Sequence, residues 1–289
     1  MTQYRALYPL CYPLFYTVRY QTLYTVRYSA RILNYDLRLI RVKGNYFMNA
    51  VCIASPREWE TVLKYYNVNE KDCVKYPFGS YFSLQISGCG VLFFLSGSRK
   101  TNASAAAQYI IDRMKPDKII VIGCCAGISS SLKPLDIIIP HRTVQTDTTV
   151  KELDSLIRKE FTVDIDISRF LEGAIEGTNG GAIVRTIKEP FFSGVLACSD
   201  KALVMWDDFL ELKENGIDAA DTESASIAYV CRANGIPCCI IRGITDFPLD
   251  ISPAEASSPN SPQIKSFLKN LPLVIEKILK DYLEFFICD

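Results

Sequence analysis

From residue 48 onward, short unbroken apolar runs alternate with longer amphipathic stretches. The runs 49–55, 80–87, 90–95, 118–122, 136–140, 181–187, 195–198 and 237–244 are short, apolar and bounded by Gly, Pro, Ser or Asp, and they predict strands. The stretches 56–66, 101–114, 201–214, 223–234 and 261–286 space their apolar residues at three and four positions and predict helices. Start and stop signals agree with these limits. Ser55 precedes Pro56 at the first helix, the third ends before Gly216, and Gly235 caps the fourth. Unbroken apolar strands are buried on both faces. The pattern therefore predicts an α/β domain with a central parallel or mixed β-sheet flanked by helices.

The first 47 residues follow another rule. Tyrosine recurs every four residues from Tyr4 through Tyr8, Tyr12, Tyr16, Tyr20 and Tyr24 to Tyr28. That period drifts around a helix of about 3.6 residues per turn, so the rings would not hold one face. Pro9 and Pro13 also stop an early helix. The segment holds seven basic residues and one acid, leaving 25 bases and 31 acids in the remainder. An Arg-rich, acid-poor stretch fits an organelle-targeting or membrane-surface segment, and 6–18 has the length of a signal-peptide apolar region. The favoured reading is a translated tandem repeat, a disordered or non-native extension ahead of a natural start at Met48. The folded domain is then expected over 48–289.

Composition narrows the function. The chain of 289 residues is 49% hydrophobic and 22% charged, with zero formal net charge and a pI near 6.6. A nucleic-acid partner is not expected, because tracking phosphates takes a basic excess. The 11 cysteines are odd in number, include the adjacent pairs Cys124-Cys125 and Cys238-Cys239 inside apolar runs, and form no C-x-x-C. With a lone histidine, His141, they fit buried reduced thiols in a cytoplasmic protein better than disulfides or a metal site. No apolar run reaches the roughly 18 residues of a membrane span, so no membrane partner is expected.

The polar chemistry gathers at strand ends: 54–58, 96–102, 123–127 and 242–246, with a fifth cluster, Asp221-Thr222-Glu223-Ser224, opening a helix. Ligands of α/β sheets sit at such ends, where small residues let backbone amides approach. Neither glycine loop is a Walker loop or a G-x-G-x-x-G, so no nucleotide cofactor is expected. Singly, Glu223 reads as a helix-start carboxylate, Asp246 as a turn residue and Glu58 as a solvated helix residue. Together they suggest acid–base work. A carboxyl at the end of a very apolar strand loses water and its pKa rises, which suits a general acid. Other carboxylates nearby can bind sugar hydroxyls, handle water and stabilise an oxocarbenium-like centre.

The run from Asp221 to Cys231, followed by Ile241-Arg242-Gly243-Ile244-Thr245-Asp246, carries a family likeness. So, in order, do 48–54, 100–127 and 194–200. Residues 48–289 resemble the purine and uridine phosphorylase superfamily, most closely its methylthioadenosine/S-adenosylhomocysteine nucleosidase branch. The resemblance implies a nucleoside phosphorylase-like fold, no cofactor, a purine nucleoside as small-molecule partner and a homo-oligomer. It implies that Asp246 is the general acid at the purine N7 and that Glu223 binds ribose hydroxyls with Thr222 beside it. Glu58 would place the attacking water. Leu203 would present backbone groups to the base. Ser96 and Gly97 would line the sugar, with Ala126 and Gly127 also in the pocket. Arg99 replaces a family glycine, Ile128 follows Gly127 where the family repeats glycine, and Thr222 is smaller than the usual residue. Ala202 stands where an aromatic stacks on the base, leaving Phe191 or Phe247 as substitutes.

The expected reaction is hydrolysis of an adenosine-type nucleoside, releasing free base. A phosphorylase needs a phosphate site, commonly built by arginines, and Arg57, Arg99 and Arg142 are the candidates. Glu58 in the first loop argues against an anion there. The alternatives are that phosphate-dependent enzyme and a catalytically silent nucleoside-binding module.

Overall fold

The computed structural model describes residues 48–147, 162–168, 187, 190–201, 206–247, 258 and 260–287. They belong to one compact unit, Tyr46–Asp289. The tyrosine repeat, Ala202, Leu203 and all of the strand expected over 181–187 except Ile187 lie outside the described residues.

An eleven-stranded mixed sheet organises the described residues. Its centre is β1 (Met48–Ile53), parallel to β4 (Cys89–Leu95) on one side and to β5 (Lys118–Gly127) on the other. On β4 lies β3 (Gly79–Ile86), antiparallel, and then the short β2 (Val74–Tyr76). Beyond β5 the sheet continues with β10 (Ala219–Asp221), β9 (Val195–Cys198), β7 (Arg142–Gln145) and β8 (Thr162–Asp164). A branch runs from β5 to the parallel β11 (Cys238–Asp246) and on to β6 (Ile137–Ile138).

Strand alternation sorts the core onto two faces. Val51, Ile53, Ile120, Ile122 and Ile241 face one way, with Val62 of α1 (Pro56–Tyr65) and Ile275 and Ile278 of α5 (Pro262–Asp281). Ala50, Cys52, Ile119, Val121 and Ile240 face the other, with Ala106 and Ile110 of α2 (Lys100–Met114) and Ile227 of α4 (Ser224–Asn234). Both faces are covered, which is why these strands read as unbroken apolar runs. A truncation such as Ile120→Ala would cost about 2–5 kcal/mol at such a site.

Two of the sequence-based limits move, and a third falls outside the described residues. The strand expected to end at Ile122 continues to Gly127, because β5 changes partners midway. Its first half lies between β1 and β11, and its last two residues pair antiparallel with β10. The third helix, α3 (Trp206–Glu214), is described only from Trp206. The C-terminal helix is two helices, α5 and α6 (Leu283–Ile287), broken at Tyr282. The buried Tyr282 donates its hydroxyl to the Pro190 carbonyl at 2.8 Å.

Candidate active site

Two of the three sequence-selected carboxylates, Glu58 and Asp246, lie along the seam Gly123 to Ala126 of β5, and Arg242 links the third, Glu223, to them. Glu58 arrives from α1. Ser55 caps that helix, and the pair closes a capping box: Glu58 N donates to Ser55 Oγ at 3.2 Å and Ser55 N to Glu58 Oε2 at 3.0 Å. The box turns the carboxylate inward, where Cys124 N donates to Oε1 at 2.7 Å. Glu58 is thus buried, not the solvated helix residue that its position alone suggests. Gly123 is required for this approach. A methyl there would overlap the Arg242 guanidinium and sit 2.7 Å from Glu58 Oε1.

Glu223 stands at the N-cap of α4 but does not cap it. Asp221 takes that task, accepting from Glu223 N at 3.3 Å and from Ser224 N at 3.2 Å. The Glu223 carboxylate is therefore available for other partners. Its Oε1 accepts from Arg99 N at 2.9 Å and from the Thr222 hydroxyl. Burial pushes its pKa up, and the Arg242 guanidinium pulls it back.

Arg242 ties these groups together from inside β11, 1% exposed. Its Nε donates to Ser224 Oγ at 3.0 Å. Nη2 lies 2.8 Å from Asp221 Oδ2 and 3.6 Å from Glu223 Oε2. Nη2 makes no aligned hydrogen bond, so the closer contact is an off-axis ion pair. Burial works against the charge, but Asp221, Glu223 and Glu58 outweigh it and hold the guanidinium firmly protonated. Sequence reasoning gave Arg242 and Asp221 no role. The available signal was an arginine within an otherwise apolar strand.

Asp246 ends β11 just after a register shift between Ile244 and Asp246. Thr245 Oγ1 donates to Asp246 Oδ1 at 2.6 Å, and Gln263 Nε2 donates to Oδ2 at 2.9 Å. The carboxyl is 7% exposed. Burial raises its pKa, and the two hydrogen bonds only partly oppose the rise. This is the direction expected from its place after an apolar strand.

The remaining candidates surround this seam unevenly. Ser96 is buried, its hydroxyl donating to the Gly97 carbonyl at 3.1 Å. Gly97 has φ 78°, a backbone that favours glycine. Ala126 pairs with Asp246 across β5 and β11. Gly127 is covered by the Phe247 ring, leaving no room for a side chain. Phe247 thereby stands beside Asp246 at the strand ends, whereas Phe191 packs against the core under α5. The three arginines considered for phosphate do not share a site. Arg57 is exposed, Arg142 pairs with Asp164 at 2.6 Å on the far strands, and Arg99 binds the Asp200 carbonyl. Burial raises the Cys124, Cys125 and Cys198 thiols well above their ordinary range. Among the described residues no His, Cys, Asp and Glu side chains group as a metal set.

The phosphorylase superfamily model matches residues 50–284. The chain belongs to the phosphorylase superfamily. A 5'-methylthioadenosine/S-adenosylhomocysteine nucleosidase of Buchnera aphidicola is 30% identical over 164 residues, covering 54% of this chain and 67% of that protein. Among solved structures, the 5'-methylthioadenosine/S-adenosylhomocysteine nucleosidase of S. pneumoniae superposes with a TM-score of 0.64 at 15% identity, covering 84% of this chain and 100% of that one. The futalosine hydrolase of Helicobacter pylori reaches 0.61 at 16% identity, covering 83% and 97%. At these identities the two structures speak for the fold, which is nucleoside phosphorylase-like. No helix among the described residues is long and apolar enough to cross a membrane.

Proposed function

We propose that this chain is an N-glycosidase that hydrolyses an adenine nucleoside of the methylthioadenosine or S-adenosylhomocysteine type, releasing the free base. The observation that carries the reading is that Glu58 and Asp246 both lie against the end of β5, at Cys124 and Ala126, while Arg242 joins Glu223 to the Glu58 side. Burial raises the pKa of both Glu223 and Asp246, but only Asp246 lies apart from the Arg242 cation that pulls Glu223 back. In this reading Asp246 gives its proton to purine N7 as the glycosidic electron pair moves into the base. Glu223, with Thr222, holds the ribose hydroxyls. Glu58 orients the attacking water and receives its proton. Two amides already occupy part of that carboxylate, which leaves about two of its four lone-pair sites for water. Ser96 and Gly97 line the sugar, and Leu203, Ala126 and Gly127 the base side. The ribosyl centre gains positive charge as the bond breaks, and the neighbouring carboxylates stabilise it.

Water is favoured over phosphate by the start of α2. Its first two available amides, Arg99 N and Lys100 N, already bind the carboxylates of Glu223 and Asp200 at 2.9 Å each. A phosphate would have to displace a carboxylate from either one. A cytoplasmic, homo-oligomeric enzyme completes the reading. The buried free thiols suit a reducing compartment, and the oligomer follows from the family likeness.

The test is chromatography of products after incubation with methylthioadenosine, S-adenosylhomocysteine, adenosine and inosine, with and without phosphate. Free adenine without phosphate supports the reading. Base release that requires phosphate replaces it with a phosphorylase, and binding without release replaces it with a sensing module.

A further inference from the structure

The polar residues of α5 converge on the peptide just before Asp246. Gln263, Ser266 and Asn270 follow one another at spacings of three and four, which puts them on one face of the helix. Ser266 Oγ donates to the Thr245 carbonyl at 2.9 Å, and Asn270 Nδ2 donates to the same oxygen at 2.7 Å. Asn270 Nδ2 also lies 3.2 Å from Ser266 Oγ. Thr245 is the residue skipped in the register with β5, where Ile244 faces Cys125 and Asp246 faces Ala126. A bulge of this kind re-aims the side chain beside it. The helix comes this close because Gly243 has no side chain: a methyl there would overlap Val274.

Asn270 is 8% exposed and lies with Leu271, Val274 and Ile275 among the buried residues of α5. Packing alone would favour leucine in that place. A buried amide costs free energy unless its hydrogen bonds are made. The oxygen it secures belongs to Thr245, whose hydroxyl donates to Asp246 Oδ1 at 2.6 Å. We propose that Asn270 is a positioning residue: with Ser266 it pins the Thr245 carbonyl, fixes the bulge and so aims the Asp246 carboxyl. This rests on the nucleosidase reading, which makes Asp246 the proton donor. Asn270 itself touches no reacting atom in this arrangement.

The test uses the full chain with Asn270→Leu, which removes the donor at nearly equal volume, and Asn270→Gln, which keeps it. Ile275→Val on the same helix is the control for stability alone. Methylthioadenosine hydrolysis is measured at steady state across pH, stability by thermal melting, and Asp246 protonation by carboxyl NMR, its signal identified by its loss in Asp246→Asn. Asn270→Leu should lower kcat about ten- to a hundredfold with KM within about threefold. The alkaline limb of kcat/KM and the Asp246 titration should both move to higher pH, because a displaced Thr245 hydroxyl no longer supports the carboxylate. Asn270→Gln should recover part of kcat. Ile275→Val should lower Tm and leave kcat and the limb in place. A limb and titration that stay in place or move down in Asn270→Leu overturn the proposal, whatever the Tm does. So does an Ile275→Val variant that reproduces both changes, which would mark them as effects of lost stability. Ser266→Ala should shift the titration the same way by less. If Asn270→Leu does not fold, that variant decides, and an unmoved titration in it overturns the proposal. If the wild-type chain releases no base, the nucleosidase reading falls, and the NMR titration alone decides whether Asn270 positions Asp246.

Discussion

Gln263 donates its side-chain amide to Asp246 Oδ2 at 2.9 Å, so the first turn of α5 fixes one oxygen of the proposed proton donor. The bond favours the carboxylate, whereas burial favours the neutral acid, and burial wins. Gln263→Ala removes a donor to the charged form and so raises the Asp246 pKa further. The expected result is an alkaline limb of kcat/KM displaced to higher pH. A pH–rate profile that keeps its limb in place, or moves it down, disconnects Gln263 from the acid.

Asp246→Asn should lower turnover by about 10²–10⁴-fold, the usual contribution of a positioned proton donor. It should also remove the alkaline limb. The wild-type rate falls as pH rises through the raised Asp246 pKa, because the donor loses its proton, and asparagine has none to lose. Steady-state base release across pH checks both effects. An unchanged turnover number removes Asp246 from the mechanism.

Stability should follow the same titration. The folded pKa of Asp246 lies above its unfolded value, so its neutral form contributes stability at low pH, and that contribution is lost as pH rises through the folded pKa. Asp246→Asn should therefore melt close to wild type in acid and at or above it at neutral and alkaline pH. Thermal melts across pH that show the reverse order would mean the carboxylate, not the acid, is the favoured folded form.

Arg242→Met should destabilise the fold by about 3–5 kcal/mol, since it leaves Asp221 and Glu223 buried without their cation. Arg242→Lys keeps the charge but not the Nε bond to Ser224, and it should fall between Met and wild type. Urea denaturation gives the comparison. A loss below about 1 kcal/mol in Arg242→Met would show that the cluster tolerates the missing charge.

Gly127→Ala forces a methyl into the Phe247 ring, an overpacking worth about 1–3 kcal/mol. Phe247→Ala should relieve it, so the double variant should be more stable than the two single losses add up to. Simple additivity in the denaturation energies would separate the two residues.

Removal of residues 1–47 should leave the Tm and base release of the remaining chain unchanged. Loss of soluble folded protein after truncation would make that segment part of the fold.

The sequence by itself determined the alternation of strands and helices, the burial of both sheet faces and the family likeness. These rest on local quantities: apolar runs, capping residues such as Ser55, the stop at Gly235, and the spacing from Asp221 to Asp246. It also selected Glu58, Glu223 and Asp246: Asp246 because a carboxyl at the end of a very apolar strand is chemically unusual, and the other two through their combination with it and the family likeness. The short strands β2, β7, β8 and β10 escaped it, since each mixes polar with apolar residues over three or four positions, unlike the all-apolar β9, and forms only when a neighbour supplies hydrogen bonds.

Tertiary structure alone decided which partners those carboxylates take. Asp221 caps α4, which frees Glu223; a capping box turns Glu58 inward; Gly123 leaves room for the Arg242 guanidinium beside it. The two caps are local, between residues three apart, but the partners that the freed carboxylates meet are distant: Cys124 N for Glu58 and Arg99 N for Glu223 come close only when β5 packs between β1 and β11 and takes β10 in place of β1 towards its end. Burial of Asp246 is likewise a property of its surroundings. A residue's charge and shape are written in its own position, but its desolvation, its pKa and its hydrogen-bond partners are set by what the fold packs against it.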